Sequence, residues 1–155
     1  MEKLNDIFFY RLDKAIRTYR QFAQGALKAG GVRITVDQWL VLKTISDNPG
    51  VSQKIIAETV FKDEASVTRI IELLVKKDLL SRNLVENDRR KTILTVNPKT
   101  RTLLQKIGKI AVRNRSHALK GVSAGDVSTV RKVLDQISEN CLTEARRRKK
   151  LKPAG

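Results

Sequence analysis

The sequence predicts a mainly α fold carrying one small β-hairpin, and three observations predict it. Apolar residues recur at steps of three and four through most of the chain, the period changes to two between residues 79 and 96, and Ser, Thr, Asp or Asn opens most helical runs. At 155 residues the chain suits one domain with a real core.

Residues 4 to 27 place Leu4, Ile7, Phe8, Leu12, Ala15, Ile16, Tyr19, Phe22, Ala23 and Leu27 on one face of a long helix, which "GALKAGG" ends. Thr35, with Gln38 three residues on, forms a capping box. It opens a second helix with Val36, Trp39, Leu42 and Ile45 inward, and "DNPG" at 47 to 50 stops it. Trp39 reads as core, because it shares one apolar stripe with Leu42. Ser52 caps a short third helix facing inward through Ile56, Ala57 and Val60; Ile55 stands where a completed box has Glu or Gln. Asp63 caps a fourth helix. Its narrow buried stripe is Val67, Ile70, Ile71, Leu74 and Val75, which leaves Ala65, Ser66, Thr68, Arg69, Glu72 and Lys76 outside.

"LLSRNLV" and "KTILTV" then read as strands, joined into a hairpin by an acid-and-base tip. Asn97 as cap with Pro98 at the first helical position restarts helix, because the cap oxygen accepts an orphan N–H and proline has none to satisfy. That helix carries Leu103, Leu104, Ile107, Ile110 and Ala111. Ser123 and Asp126 form a further box before a last helix bearing Val127, Val130, Val133, Leu134, Ile137, Leu142 and Ala145, and "RRRKKLK" follows. This end reads either as a solubilising tail or as a basic arm adding non-specific DNA affinity.

Lys and Arg outnumber Asp and Glu by 32 to 16, for a formal charge of +16 and a pI near 10.4. Such a chain seeks polyanions; nucleic acid, an anionic membrane surface and an acidic protein all satisfy the electrostatics. No apolar stretch approaches the roughly 20 residues of a membrane span, and the N-terminus mixes acids into a helical pattern without a signal-peptide core. The basic residues gather at the hairpin tip and the C-terminal end instead of forming a continuous face, so no membrane partner is expected. The reading is a soluble, cytoplasmic protein. Cys141 is the single cysteine, which excludes an intrachain disulfide and a cysteine-based zinc site; it reads as a small half-buried helix residue. The lone His117 has no second His or Cys nearby and reads as a surface residue. With no phosphate-binding glycine loop, metal cluster or nucleophile-base pair, neither enzyme activity, cofactor nor metal is expected.

Three short helices followed by a two-stranded charged hairpin is the order of a winged helix-turn-helix, in which the last of the three helices enters the DNA major groove. Short polar side chains near its N-terminus reach base edges while its apolar stripe is held from behind. Arginine suits the hairpin tip. A narrow minor groove concentrates negative potential, and guanidinium is less tightly hydrated than ammonium. Asp88, beside Arg89 and Arg90, is a poor phosphate contact but can brace one arginine while the other projects.

The stretch "VSQKIIAETVFKDEASVTRIIELLVKKDLLSRNLVENDRRKTILTVNPKTRTLL" resembles the MarR family of bacterial and archaeal transcription regulators, in register without a gap from about residue 35 to 104. "DRR" alone is a weak signal; after a capped "SVTR" helix at this spacing it is a strong one. The resemblance implies a dimer with intertwined N- and C-terminal helices. It implies a recognition helix at 64 to 76 contacting DNA through Ser66, Thr68 and Arg69, and a wing contacting it through Arg89 and Arg90, with Asp88 as the brace. Lys76, Arg82 and Lys91 complete the expected DNA-contacting set. Three positions depart from the family pattern: Asp78 and Thr100 stand where it usually has glycine, and Asn83 where it often has arginine. Asp78 must then close a helix at positive φ, a conformation Asp tolerates better than most residues. Thr100 can simply be helical.

The implied organisation is an N-terminal dimerisation helix at 1–34, a winged-helix domain at 35–97 with its wing at about 79–96, C-terminal dimerisation helices at 98–148 and a basic tail at 149–155. Two recognition helices about 34 Å apart would read a pseudo-palindromic double-stranded operator. A small-molecule effector enters only through the resemblance. The alternative is an architectural DNA-coating protein of low sequence preference, suggested by the charge; Glu64 and Glu72 on the reading face speak against it.

Overall fold

The computed structural model describes residues 3–85 and 88–151, with side chains over 3–84 and 92–150. Its elements are α1 (Phe8–Ala29), α2 (Val36–Asp47), α3 (Gln53–Val60), α4 (Glu64–Lys76), β1 (Leu80–Val85), β2 (Asp88–Val96), α5 (Pro98–Ala118) and α6 (Ala124–Leu151). The fold is mainly helical with one antiparallel hairpin, as the periodicities predict. The first helix begins at Phe8, not Leu4, since Leu4–Asp6 forms a separate 3-10 turn.

The caps explain where helices start. Thr35 Oγ1 accepts the Gln38 N–H at 3.1 Å and Gln38 Oε1 accepts the Thr35 N–H at 3.1 Å, a full box. Ser52 accepts the Ile55 N–H at 3.3 Å with nothing returned, the expected half box. Asp63 Oδ1 accepts the Ser66 N–H at 2.7 Å. Asn97 corrects the prediction. Its carboxamide donates to Asp78 O at 3.0 Å and Asp78 Oδ1 at 2.8 Å and accepts from the Ser81 hydroxyl at 2.5 Å, so its backbone carbonyl, not its side chain, receives the Thr100 N–H.

Three helices end in one way. At Gly31, Phe61 and Asp78 the chain turns through the left-handed region, at φ +70°, +55° and +56°, and the next residue's N–H returns to a carbonyl five residues back. Asp78 in this role matches the sequence reading. Thr100, at the second missing glycine, is fully buried inside α5 and donates to Leu79 O at 2.8 Å.

The core sits among α2, α3, α4 and the base of the hairpin, where Val41, Leu42, Ile56, Val67, Ile71 and Leu74 are 0% exposed. In α2 the buried side is broader than expected: Gln38, Val41 and Thr44 join Leu42 and Ile45, whereas Val36 and Trp39 are half-buried. Only Val67, Ile71 and Leu74 of the predicted α4 stripe are fully buried; Ile70 and Val75 are partly so. The end of α1 joins this core through Leu27, and Gly30 sits against α5, where an added Cβ would meet only the movable tip of the Ile110 side chain, at 2.7 Å.

The strands pair Leu80 with Val96, Arg82 with Leu94 and Leu84 with Thr92, with an irregularity between Leu84 and Val85. The second strand starts at Asp88, so the backbone of 88–91 belongs to β2 and not to a loop. Chain contacts divide the molecule into residues 1–118 and 119–155. Within the second unit, Ser123 Oγ accepts the Asp126 N–H at 3.0 Å and donates to Asp126 Oδ2 at 2.6 Å, opening α6. Two expectations change there: Cys141 is exposed, not half-buried, and α6 continues through Lys149 and Lys150, so the basic end is partly helical. Among the described residues no helix is long and apolar enough to cross a membrane.

Candidate nucleic-acid interface

Helix α4 is fastened from behind and presented in front. Val67, Ile71 and Leu74 fix its inner stripe in the core, while Arg69, Glu72 and Lys76 are exposed on the other side. Its N-terminus is locked by Asp63, whose second oxygen also accepts the Ser66 hydroxyl at 2.7 Å. These Ser66 bonds, side chain first and backbone next, hold the Asp63 carboxyl below the usual carboxylate range, and the Arg69 charge adds to them.

The predicted reading residues are therefore unequal. Ser66 is half-buried with its hydroxyl proton given to the cap. Thr68, also half-buried, donates its hydroxyl to Glu64 O at 2.8 Å and accepts a hydrogen bond from the Gln53 carboxamide. Arg69 is exposed on the same helix. Gln53, the first residue of α3, is a part of this surface that the sequence reading omitted. The available signal was its place immediately after the Ser52 cap, at a positive helix end.

Arg82 is exposed on β1 and lines a groove of about 380 Å³ with Ser52 and Gln53 on one side and Thr92 to Leu94 on the other. The structure thus sets Arg82 beside the start of α3. Lys76 lies in the last turn of α4. The backbone of Asp88, Arg89, Arg90 and Lys91 is in β2; their side chains lie outside the described residues, as do Glu86 and Asn87 entirely.

Next to the N-terminal cap of α4, Asp37 of α2 receives two cations, Arg20 from α1 and Lys62 at 3.0 Å from the turn before α4. Burial raises the Asp37 pKa, but the Lys62 hydrogen bond and charge, with Arg20 after them, bring it below its ordinary value. Arg20 also lines a small cavity of about 140 Å³ with Tyr19, Trp39, Ile107 and Arg115. Trp39 is thus both packed on the core and part of that wall. Among the described residues no cluster of three or more His, Cys, Asp or Glu side chains is placed to hold a metal.

A three-helix core with its third helix exposed along a polar face, followed by a β-hairpin, defines the winged helix-turn-helix class of DNA-binding proteins. Residues 34–92 match the MarR family model. The match covers the winged helix-turn-helix itself, from the start of α2 into β2.

Solved structures carry the same fold over nearly the full chain. Bordetella bronchiseptica BpsR, whose DNA binding is regulated by 6-hydroxynicotinic acid, is 21% identical, with a TM-score of 0.79 over 89% of this chain and 97% of its own. CouR from Rhodococcus jostii, solved with p-coumaroyl-CoA, is 21% identical, with a TM-score of 0.76 over 88% of this chain and 95% of its own. Transcriptional regulator PA3341 is 25% identical, with a TM-score of 0.77 over 88% and 99%.

Proposed function

We propose that the protein is a homodimeric, cytoplasmic, sequence-specific regulator that reads a pseudo-palindromic double-stranded operator and is released by a small-molecule effector. The observation that carries this reading is α4: capped at Asp63, anchored by three fully buried residues, and presenting Arg69, Glu72 and Lys76 outward, with Ala65 and Leu73 as the apolar exceptions on that side. That helix enters the major groove, where Arg69 and the surfaces of Ser66 and Thr68 meet base edges and Lys76 meets phosphate. Arg89 and Arg90 enter the minor groove, braced by Asp88, and Lys91 and Arg82 hold the adjoining backbone.

Dimerisation falls to residues 1–34 and 98–148, whose apolar faces exceed what a winged core covers. The proposed effector site is the cavity of about 140 Å³ walled by Tyr19, Trp39 and Ile107, which limits the ligand to a small one unless the walls move. Arg20 there also pairs with Asp37, and Asp37 with Lys62 beside the Asp63 cap, so a ligand competing for Arg20 would alter the support of α4. The ligands named with BpsR and CouR favour a small-molecule effector here as well.

Selecting duplex fragments with the purified protein tests the reading: an inverted repeat is expected. Arg90→Ala should then bind that repeat more weakly than the parent at matched salt, and equal binding removes the wing assignment. The charge of +16 favours a second reading, DNA coating with little sequence preference. Glu64 and Glu72, both exposed on α4, weigh against it, because indiscriminate phosphate binding gains nothing from acids there. Competition decides: a specific duplex preferred over bulk DNA by ~10³ or more supports regulation, and equal displacement supports coating.

A further inference from the structure

We infer that Gln53, on α3, is a base-reading residue and that it works as one unit with Thr68 on α4; this rests on the proposed DNA reading by α4. The hydroxyl of Thr68 has a single proton, and that proton is spent on Glu64 O at 2.8 Å. One of its lone pairs is taken by the Gln53 carboxamide N–H, so toward DNA the threonine keeps its methyl group and one acceptor position. Thr68 alone is a poor reader.

Gln53 gains what Thr68 gives up. A carboxamide has two N–H donors and an oxygen acceptor, and only one N–H goes to Thr68. Among the described residues, Oε1 and the second N–H have no hydrogen-bond partner, and the side chain is half-buried, so its position is restricted before any DNA arrives. The remaining edge, one donor beside one acceptor, is the pattern that pairs with N7 and the N6 amino group of adenine. The bond to Thr68 fixes which edge is offered, which lowers the ordering cost on binding. Gln53 is also the first residue of α3, where the positive helix end favours approach to DNA. Position and chemistry agree: α3 supplies the amide, α4 the hydroxyl that aims it.

Selection from a random duplex library by the full-length protein tests this, run in parallel with the parent, Gln53→Ala, Gln53→Glu and Thr68→Val. The parent should return a motif with an A·T pair at one fixed position in each half-site. Gln53→Ala should lose discrimination at that position alone, by about tenfold, with the other positions unchanged. Gln53→Glu, which only accepts, should shift the preferred base there toward cytosine. Thr68→Val should blur the same position by freeing the amide. If Gln53→Ala weakens all sequences alike, the residue is a backbone contact and the inference is overturned. An unchanged motif in both Gln53 variants overturns it too. A parent that selects no motif would instead overturn the regulator reading itself, and the inference with it. Unchanged helical circular dichroism in each variant shows that the altered readout is not a folding defect.

Discussion

The winged head and the terminal helices treat apolar residues in opposite ways. In the head, six aliphatic side chains from α2, α3 and α4 are completely buried, and the polar groups that start each helix are capped. On α1 only Leu27 is buried, whereas Phe8, Phe9, Ile16 and Phe22 stay 54%, 59%, 50% and 46% exposed. Described by itself, α6 has no buried residue, although Val127, Val130, Leu134, Ile137 and Cys141 recur at alternating steps of three and four. That spacing is the seam of a helix packed on another helix. The head buries a continuous core within one chain, with Ile55, Phe61, Leu73 and Leu84 left exposed around it; the terminal helices expose aromatic and aliphatic surface with little core beneath it. The same composition rule is satisfied in one region and unsatisfied in another, a difference that the dimer proposed above would account for.

The sharpest break in this comparison is truncation on each side. Leu74→Ala, at a fully buried site, should destabilise the protein by about 2–5 kcal/mol in urea unfolding. Leu142→Ala, half exposed on α6, should change a single chain by no more than about 0.5 kcal/mol, and by more only in proportion to dimer formation. A large loss for Leu142→Ala that does not vary with protein concentration would mean that the chain covers its own α6. Next in size is Val130→Lys, which places a charge in the α6 seam. The dimer dissociation constant should rise roughly 30-fold, as for an interface residue worth about 2 kcal/mol, measured by sedimentation while near-ultraviolet dichroism of Trp39 stays unchanged.

How much could be read beforehand differs by the range of the interaction. Helix starts were legible, because a cap and its target lie three residues apart: Thr35 with Gln38, Ser52 with Ile55 and Asp63 with Ser66 all form. Helix ends were legible only where the residue type declared itself. Gly31 announces a left-handed turn, Asp78 permits one, and Phe61 gives no hint of the same conformation. Contacts across the chain were not legible at all. Asn97 looked like a cap because Pro98 follows it, yet its carboxamide is claimed by Asp78 and Ser81 from the far side of the hairpin. Thr68 looked free because its partner Gln53 sits on another helix, brought near only by packing. The outer face of α4 was thus visible as a pattern, and its hydrogen-bond economy was not.

Acid sharpens the contrast from the head's side. Asp63 is held below the usual carboxylate range by the Ser66 hydroxyl and N–H, and Asp78 by Lys99 and then Asn97. Because these folded-state values lie below the unfolded ones, the carboxylates contribute stability that is complete above the ordinary value of 3.8 and is lost as pH falls through the depressed values. The urea midpoint should therefore decline on acidification. In Asp63→Asn, which keeps a good cap acceptor but takes up no proton, the decline below that ordinary value should be shallower. Parallel curves for the two proteins would show that the Asp63 cap carries no charge-dependent strength.

The smallest effect tests the place where the head behaves most like the terminal helices, ahead of Ile55, Leu73 and Leu84, which are also exposed. Phe61 is 94% exposed and left-handed at φ +55°, so its ring packs on little in the chain while its Cβ meets the clash that disfavours this region. The turn needs only the backbone: the Phe61 N–H reaches Glu58 O at 3.3 Å and the Lys62 N–H reaches Ala57 O at 3.0 Å. Asparagine keeps both bonds and tolerates the conformation, whereas glycine would add freedom to the unfolded chain and offset part of the relief. Phe61→Asn should consequently stabilise the protein by up to about 1 kcal/mol, with Phe61→Gly at or below that value. Loss of stability in the asparagine variant would mean that the ring is covered in the assembled protein. The division between a self-sufficient head and partner-seeking ends would then have to be redrawn at this turn.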